Sequence, residues 1–437
     1  MSLSVTAFVA DSEEKKVEDA IYRKVTWHIL PLLFLCYLCA YLDRVNVGLA
    51  KLQMSADLQF SETVYGLGAG IFFIGFFTVE IPSNILLHKL GARVWIARIM
   101  ISWGLISGAT MFVTTPWAFY VLRFFLGVAE AGFYPGVILY LTYWYPKERR
   151  GRIYALFATA VPFSGIIGGP LSGLIIDGMN GVAGWTGWQW MFLLEALPSI
   201  VMGIAAFIFL TDHIHKAKWL SDAEKTLLSR NISRDADGKT VHSVWAALMN
   251  RKVWFMTTIY FCLIMGFYGV GFWLPTLINA TGVKSAWHVG LLTAIPYASA
   301  GIAMLLIARS ADRRNERRWH LALTCVVGGI GLILSALLSQ SIPLAMAGLT
   351  LGAMGALSTL PLFWSIPTAF LNGTAAAAGI AFINSVGNLG GFVSPYMIGF
   401  IRDTTESSNL GMYMLAAFLF LGAGLTLLVP AKLTGKA

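Results

Sequence analysis

Twelve long apolar stretches, six on each side of one polar interruption, leave this 437-residue sequence few folds to choose from. They run from about 27 to 50, 63 to 87, 94 to 114, 117 to 142, 152 to 176 and 188 to 211. After the interruption they run from about 253 to 278, 287 to 308, 319 to 339, 342 to 370, 374 to 401 and 410 to 431. About 20 apolar residues are what a helix needs to cross the hydrocarbon core of a bilayer. Lipid offers the backbone no hydrogen bonds, so each run has to satisfy its own as a helix. The expected fold is therefore all-α and integral to the membrane, with twelve transmembrane helices in two six-helix halves. A charged fraction of only 12% and a mean hydropathy of +0.70 exclude an ordinary soluble domain.

The segments between the runs carry the topology. Residues 1–26 read as a cytoplasmic N-terminal segment, 27–211 as the first half, 212–252 as a cytoplasmic linker, 253–431 as the second half and 432–437 as a cytoplasmic tail. Alternate connections hold the Lys and Arg residues, among them Lys89, Arg93, Arg149, Arg150, Arg313 and Arg317, while the others hold only Lys51, Lys284 and Arg402. That asymmetry sets both termini on the cytoplasmic side. It also accounts for the net charge of +9, so no nucleic-acid partner is expected. In the linker, Ser221-Asp222-Ala223-Glu224 is a capping box that opens a short surface helix, and Asp235 to Lys239 reads as a turn. The four cysteines all lie inside apolar runs and read as packing residues. No nucleophile–base constellation and no metal-ligand spacing is present, so neither enzymatic activity nor a cofactor or metal is expected.

A few charges interrupt the apolar runs. Arg123 and Glu130 lie in the fourth run and Asp43-Arg44 in the first. A charge at mid-helix costs about 2.5 to 3.5 kcal/mol on the insertion scale, and such residues persist mainly where they line a polar cavity or carry an ion. Arg123 and Glu130 are seven apart and share one helix face. Arg44 and Arg123 each lie about 10 Å below the outer surface at 1.5 Å per residue, so they can converge on one cavity between the halves. An arginine fork suits a carboxylate, meeting its two oxygens with parallel N–H bonds. Tyr41, three residues before Arg44, faces the same way. Burial favours the protonated form of Asp43 or Glu130 and a close arginine favours the ionised form, by about one to three units for a near opposite charge. An anion that engages the arginine would return the proton to the acid. Glu80 lies in the inner third of its helix and is assigned to a gate or a structural contact; Glu195 receives no transport role.

The two halves repeat a motif. His88-Lys89-Leu90-Gly91-Ala92-Arg93 and Asp312-Arg313-Arg314-Asn315-Glu316-Arg317 stand at equivalent places, and both resemble the D-R-x-G-R-[RK] inner loop of the major facilitator superfamily. Parallel repeats are how that fold is built. Tyr41-Leu42-Asp43-Arg44-Val45-Asn46, Glu80-Ile81-Pro82-Ser83-Asn84 and Arg123 to Gly132 carry a closer likeness in the first half, and Phe363 to Thr368 with Asn384 to Gly391 extend it to the second. With these the chain resembles the anion:cation symporter family, in particular bacterial permeases for tartrate, phthalate, 4-hydroxyphenylacetate and sugar acids.

The resemblance implies proton-coupled import of a small carboxylate anion across the lipid membrane, in a bacterial inner membrane. It favours Arg44 for direct substrate contact, leaving Arg123 to act on substrate or on Glu130. Asp43 and Glu130 are the expected protonatable pair. In the second half it points to Asn384 and Asn388, four apart on one face, and to Trp364, with Tyr268 as a further substrate-binding residue. Asp312 and Arg313 belong with Glu80 as gating or structural residues. On the same fold the alternative is a proton-coupled exporter of drugs or other organic ions. The series Gly165, Gly169 and Gly173 reads as a surface for close helix packing.

Overall fold

The computed structural model describes residues 2–234, 250–367 and 373–430, and its regular elements among them are all helical. Among the described residues, eleven helical stretches are long and apolar enough to cross a membrane. In the first half these are spans 1 to 6: Lys15–Asp57, Glu62–Leu90, Ala92–Phe112, Pro116–Thr142, Glu148–Gly178 and Gly187–Phe209. In the second half, spans 7 to 10 are Arg251–Ala280, Ala286–Arg314, Arg318–Leu337 and Ile342–Trp364, and span 12 is Ser408–Leu427. The remaining run, span 11, is made of two shorter helices, Gly373–Gly387 and Gly390–Thr405. The turn between them falls on Asn388 and Leu389, between Gly387 and Gly390.

Local chemistry sets where the spans begin. Ser61 caps span 2 by accepting from Val64 N at 3.2 Å, and Ser285 does the same for span 8 from His288 N at 3.3 Å. Span 4 starts with Thr115 as cap and Pro116 in its first turn, and span 6 with a capping box between Thr186 and Gln189. Span 4 breaks after Glu130. Gly132 takes φ +88°, a left-handed conformation that a side chain resists, and a Cβ there would also meet Ser83. The Ala131 carbonyl freed by the break accepts from Ser83 Oγ at 2.5 Å. Glu130 is thereby the last residue of the helix Pro116–Glu130, deep in the first half.

At the end away from the termini the halves are pressed together backbone to backbone. A Cβ on Gly169 or Gly290 would run into the other's carbonyl, and Gly173 faces the carbonyl of Ala286 in the same way. The small-residue series of span 5 does pack closely, and its partner is span 8 of the opposite half. Gly66 and Gly70 bring span 2 against Pro395 and Phe392 of span 11. Asp177 accepts from Ser285 Oγ at 2.7 Å and Trp287 N at 2.9 Å, while Asp403 accepts from Glu62 N at 3.0 Å and Thr63 N at 2.7 Å.

Lys51 departs from its sequence reading as a loop residue. The helix of span 1 continues through it to Asp57, and Lys51 is only 4% exposed. Glu62 pairs with it at 2.6 Å, Thr276 accepts from it at 3.2 Å, and the rings of Tyr65 and Trp273 lie 5.1 and 4.4 Å from its ammonium. These partners replace the water the charge has lost.

The opposite, basic end is less closed. A cleft of about 510 Å³ lies between the halves there, lined by Ile81, Asn84, His88 and Lys89 of span 2, Leu139 of span 4 and Ala381 of span 11. The linker helix Asp222–Arg234 docks on span 1 through Lys24 and Glu224 at 2.9 Å. The expected turn at 235–239 and the tail 432–437 lie outside the described residues. Asp312, in the last turn of span 8, pairs with Arg317 just after it at 3.3 Å, and Arg313 in the same turn is exposed.

Candidate functional site

The buried charged side chains among the described residues, Asp43, Arg44, Lys51, Glu80, Arg123, Glu130 and Glu195, all belong to the first half. Arg44 reaches the seam between the halves. Its guanidinium pairs with Glu130 of span 4 and its Nη1 donates to the hydroxyl of Tyr268 of span 7 at 3.0 Å. The rings of Tyr41 and Phe72 each lie 5.5 Å from its Cζ. The partner of Glu130 is thus Arg44 and not Arg123, which shares its helix.

Arg123 turns toward span 2. Gly75 and Gly127 have no side chain to keep the two spans apart, since a Cβ on either would strike a backbone carbonyl of the other span. At that approach Arg123 Nε donates to the carbonyl of Gly68 at 3.3 Å, and its Cζ lies 5.4 Å from the ring of Phe72. Two guanidiniums therefore share one aromatic ring, against one carboxylate.

Several donors around Arg44 and Phe72 lack acceptors. Arg44 Nε, both Nη atoms of Arg123 and the hydroxyl of Tyr41 are buried with no hydrogen-bond partner. Buried polar groups are nearly always paired, and each orphan costs about 1–3 kcal/mol. The oxygens of Glu130 are also without a hydrogen bond there, but that one carboxylate is engaged by Arg44, and the donors left beside two arginines have the chemistry of an anion site.

A second polar group lies one level toward the basic end. Glu80 of span 2 accepts from Asn384 Nδ2 at 2.8 Å and Ser385 Oγ at 2.7 Å, both on span 11. Asn388 Nδ2 donates to Asn384 Oδ1 at 3.1 Å, and Tyr260 OH does so at 3.4 Å. The ring of Tyr260 lies 5.0 Å from Trp364 and 4.9 Å from Phe363. Asn384, Asn388 and Trp364 are therefore brought together, with Glu80 as their partner across the halves. Tyr260 and Ser385 were missed by the sequence reading. Tyr260 stands eight residues before Tyr268, two turns along the same face, which is the signal that points to it.

Asp43 faces away from this seam. Neighbours in sequence stand about 100° apart around a helix. With Arg44 at the seam, Asp43 points into the first half and accepts from Ser199 Oγ of span 6 at 2.6 Å. Asp43 and Glu130 are thus on different sides of span 1. Among the described residues no group of three or more His, Cys, Asp or Glu side chains is placed to hold a metal ion.

The comparisons with known proteins fit this architecture. The family model described as Major Facilitator Superfamily matches residues 33–395. The chain belongs to that superfamily. It is 48% identical over 419 residues to the "Putative metabolite transport protein NicT" of Pseudomonas putida, covering 95% of this chain and 96% of that one. It is 47% identical over 423 residues to a "Putative tartrate transporter" of Agrobacterium vitis, at 96% and 93% coverage. A "Quinolone resistance transporter" of Acinetobacter baumannii is 42% identical over 419 residues, at 95% and 96% coverage. The relatives named for metabolite and tartrate transport place this major facilitator transporter with the anion:cation symporter type. In fold it is similar to the xylose transporter XylE from E. coli in a partially occluded inward-open conformation, with a TM-score of 0.74 at 13% identity, covering 94% of this chain and 99% of that one.

Proposed function

We propose that this transporter imports a small organic carboxylate together with protons, by alternating access, with both termini on the cytoplasmic side of a bacterial inner membrane. The observation that carries the reading is the set of buried, acceptor-free donors on Arg44, Arg123 and Tyr41 around Phe72. A carboxylate supplies the acceptors these donors lack. The relatives named for tartrate and metabolite transport support the same class of cargo.

The arrangement couples anion to proton through competition. Glu130 and the substrate carboxylate need the same guanidinium. When the substrate takes the Arg44 fork, Glu130 loses its cation inside an apolar site and takes up a proton. A shift of one to three units at about 1.4 kcal/mol each makes substrate and proton favour one another by about 1.4 to 4 kcal/mol. Tyr268 and Tyr41 hold the fork, and Arg123 keeps the site's field positive. Asn384, Asn388 and Trp364, tied to Glu80, form the second-half wall toward the basic end. Parting of Glu80 from span 11 accompanies opening of the cytoplasmic side, with Asp312 and Arg313 stabilising the loop on that face.

The test is uptake into proteoliposomes of radiolabelled tartrate, phthalate, 4-hydroxyphenylacetate, galactonate and glutamate, with and without an inward proton gradient. Accumulation of one acid only with the gradient is expected. A second reading, proton-coupled export of drugs, draws on the relative named for quinolone resistance. Drug efflux against protons, with no uptake of any acid in the panel, would establish that reading and overturn the first.

A further inference from the structure

Behind span 1, on the side opposite Arg44, lies a second pair of buried acids. Asp43 is fully buried and Glu195 is 3% exposed. Glu195 Oε1 accepts from Ser172 Oγ of span 5 at 2.5 Å, and its Oε2 from Asn46 Nδ2 of span 1 at 2.9 Å. Asp43 Oδ2 accepts from Ser199 Oγ of span 6 at 2.6 Å. Asn46 is three residues from Asp43, and Ser199 is four from Glu195. Two rungs thus cross the seam between spans 1 and 6, about one turn, roughly 5 Å, apart along it.

The groups facing this pair are neutral. Ser107 of span 3 and Cys39 of span 1 lie beside Asp43, Ser172 of span 5 beside Glu195, and Ser199 of span 6 between them. Glu195 lies in the field of Asp43, and no Lys or Arg among the described residues pairs with either. Asp43 Oδ1 and Asn46 Oδ1 have no hydrogen bond in place, and the Ser107 hydroxyl beside Asp43 is likewise unpartnered, one donor against two acceptors. Two bare negative charges this close, out of water and without a cation, cost far more than one. Acceptors in excess of donors, together with excess negative charge, call for a small cation, and a proton answers both.

We infer that Asp43 and Glu195 form a proton-binding site in which one of the two carboxyls is protonated and the other ionised, separate from the Arg44–Glu130 pair. Glu195 is thus a functional partner of Asp43. The role of this proton in turnover rests on the proton-coupled reading above; the site itself rests only on these contacts. Because Asp43 and Arg44 occupy one turn of span 1, a movement of that turn on substrate binding reaches both.

Infrared difference spectroscopy of the full-length transporter in lipid, between neutral and alkaline pH, tests this without a substrate. The wild type is expected to show the carbonyl stretch of one buried protonated carboxyl, shifted in deuterium oxide and bleached on alkalinisation. Glu195→Gln and Asp43→Asn are each expected to remove that band and to release one proton fewer per chain over the same titration. Either variant alone suffices should the other fail to fold. Glu130→Gln is expected to leave the band in place. A band unchanged in both pair variants, or lost only in Glu130→Gln, would overturn the inference. So would bleaching of the band by sodium chloride at constant pH, which would make the cation sodium. Failure of proton-driven uptake, by contrast, would overturn the symport reading and leave this band intact.

Discussion

Replacing Glu130 by Gln removes the carboxylate that competes for Arg44 while nearly keeping its shape. Arg44 pairs with Glu130; on the proposed mechanism the ionised Glu130 holds the guanidinium in the wild type, so a substrate carboxylate binds well only after the acid takes a proton. Affinity then falls about tenfold for each pH unit above the acid's proton equilibrium in the empty site, until the substrate-bound equilibrium is reached. With a coupling of about 1.4 to 4 kcal/mol the total loss is about 10- to 1,000-fold. Gln carries no charge at any pH and imitates the protonated acid. The Glu130→Gln variant is therefore expected to bind its acid at alkaline pH about 10- to 1,000-fold more tightly than the wild type, with the pH dependence flattened. It is also expected to exchange substrate across the membrane without accumulating it. The measurements are equilibrium binding of the radiolabelled acid to purified protein across pH, then counterflow and gradient-driven uptake in proteoliposomes. A variant that retained the wild-type loss of affinity with rising pH, or still accumulated substrate uphill, would refute the competition on which the mechanism stands.

Other consequences follow from the seams and the linker. A Cβ on Gly290 meets the carbonyl of Gly169, and overpacking of this kind costs about 1–3 kcal/mol. Gly290→Val should therefore shift the conformational equilibrium by about 5- to 150-fold away from the state closed at this end, read as a lengthened spin-label distance between spans 5 and 8 together with loss of flux. In the linker, the ammonium of Lys24 and the backbone of Ser221 hold the Glu224 carboxyl below its ordinary 4.5. For a carboxyl held low by folding, the contribution to docking is present above 4.5 and lost as pH falls through the lowered value. Hydrogen exchange should show the helix Asp222–Arg234 protected at neutral pH and released at lower pH, and Lys24→Met should remove that dependence.

How much was legible in the sequence depends on the range of the signal. A run of apolar residues is local, so the spans could be counted; even span 11, which the structure divides, was visible as one run because both of its helices are apolar. Arg44 and Glu130 were visible for the same reason, as charges where lipid-like residues surround them. Their pairing was not. Arg123 and Glu130 share a helix face, but two turns separate them, and contact across helices depends on where Gly75 and Gly127 let spans 2 and 4 close up. Glu195 was passed over because what marks it, Asn46 and Ser172, comes from two other spans. Lys51 was read as a loop residue because its cage of Tyr65, Trp273 and Glu62 is assembled from both halves.

The confinement of buried charge to the first half bears on how the membrane voltage acts. An elementary charge carried across 100 mV exchanges about 2.3 kcal/mol with the field. The described second-half helices bury no ionised side chain, so rocking that half alone moves almost no charge and is nearly blind to voltage. The charge that the protein itself moves in a conformational step then lies on one body, in Arg44, Arg123 and the acids near them, while the net charge moved per cycle is that of the cargo. Voltage would set the timing of the first half, and the second would follow it as a neutral wall.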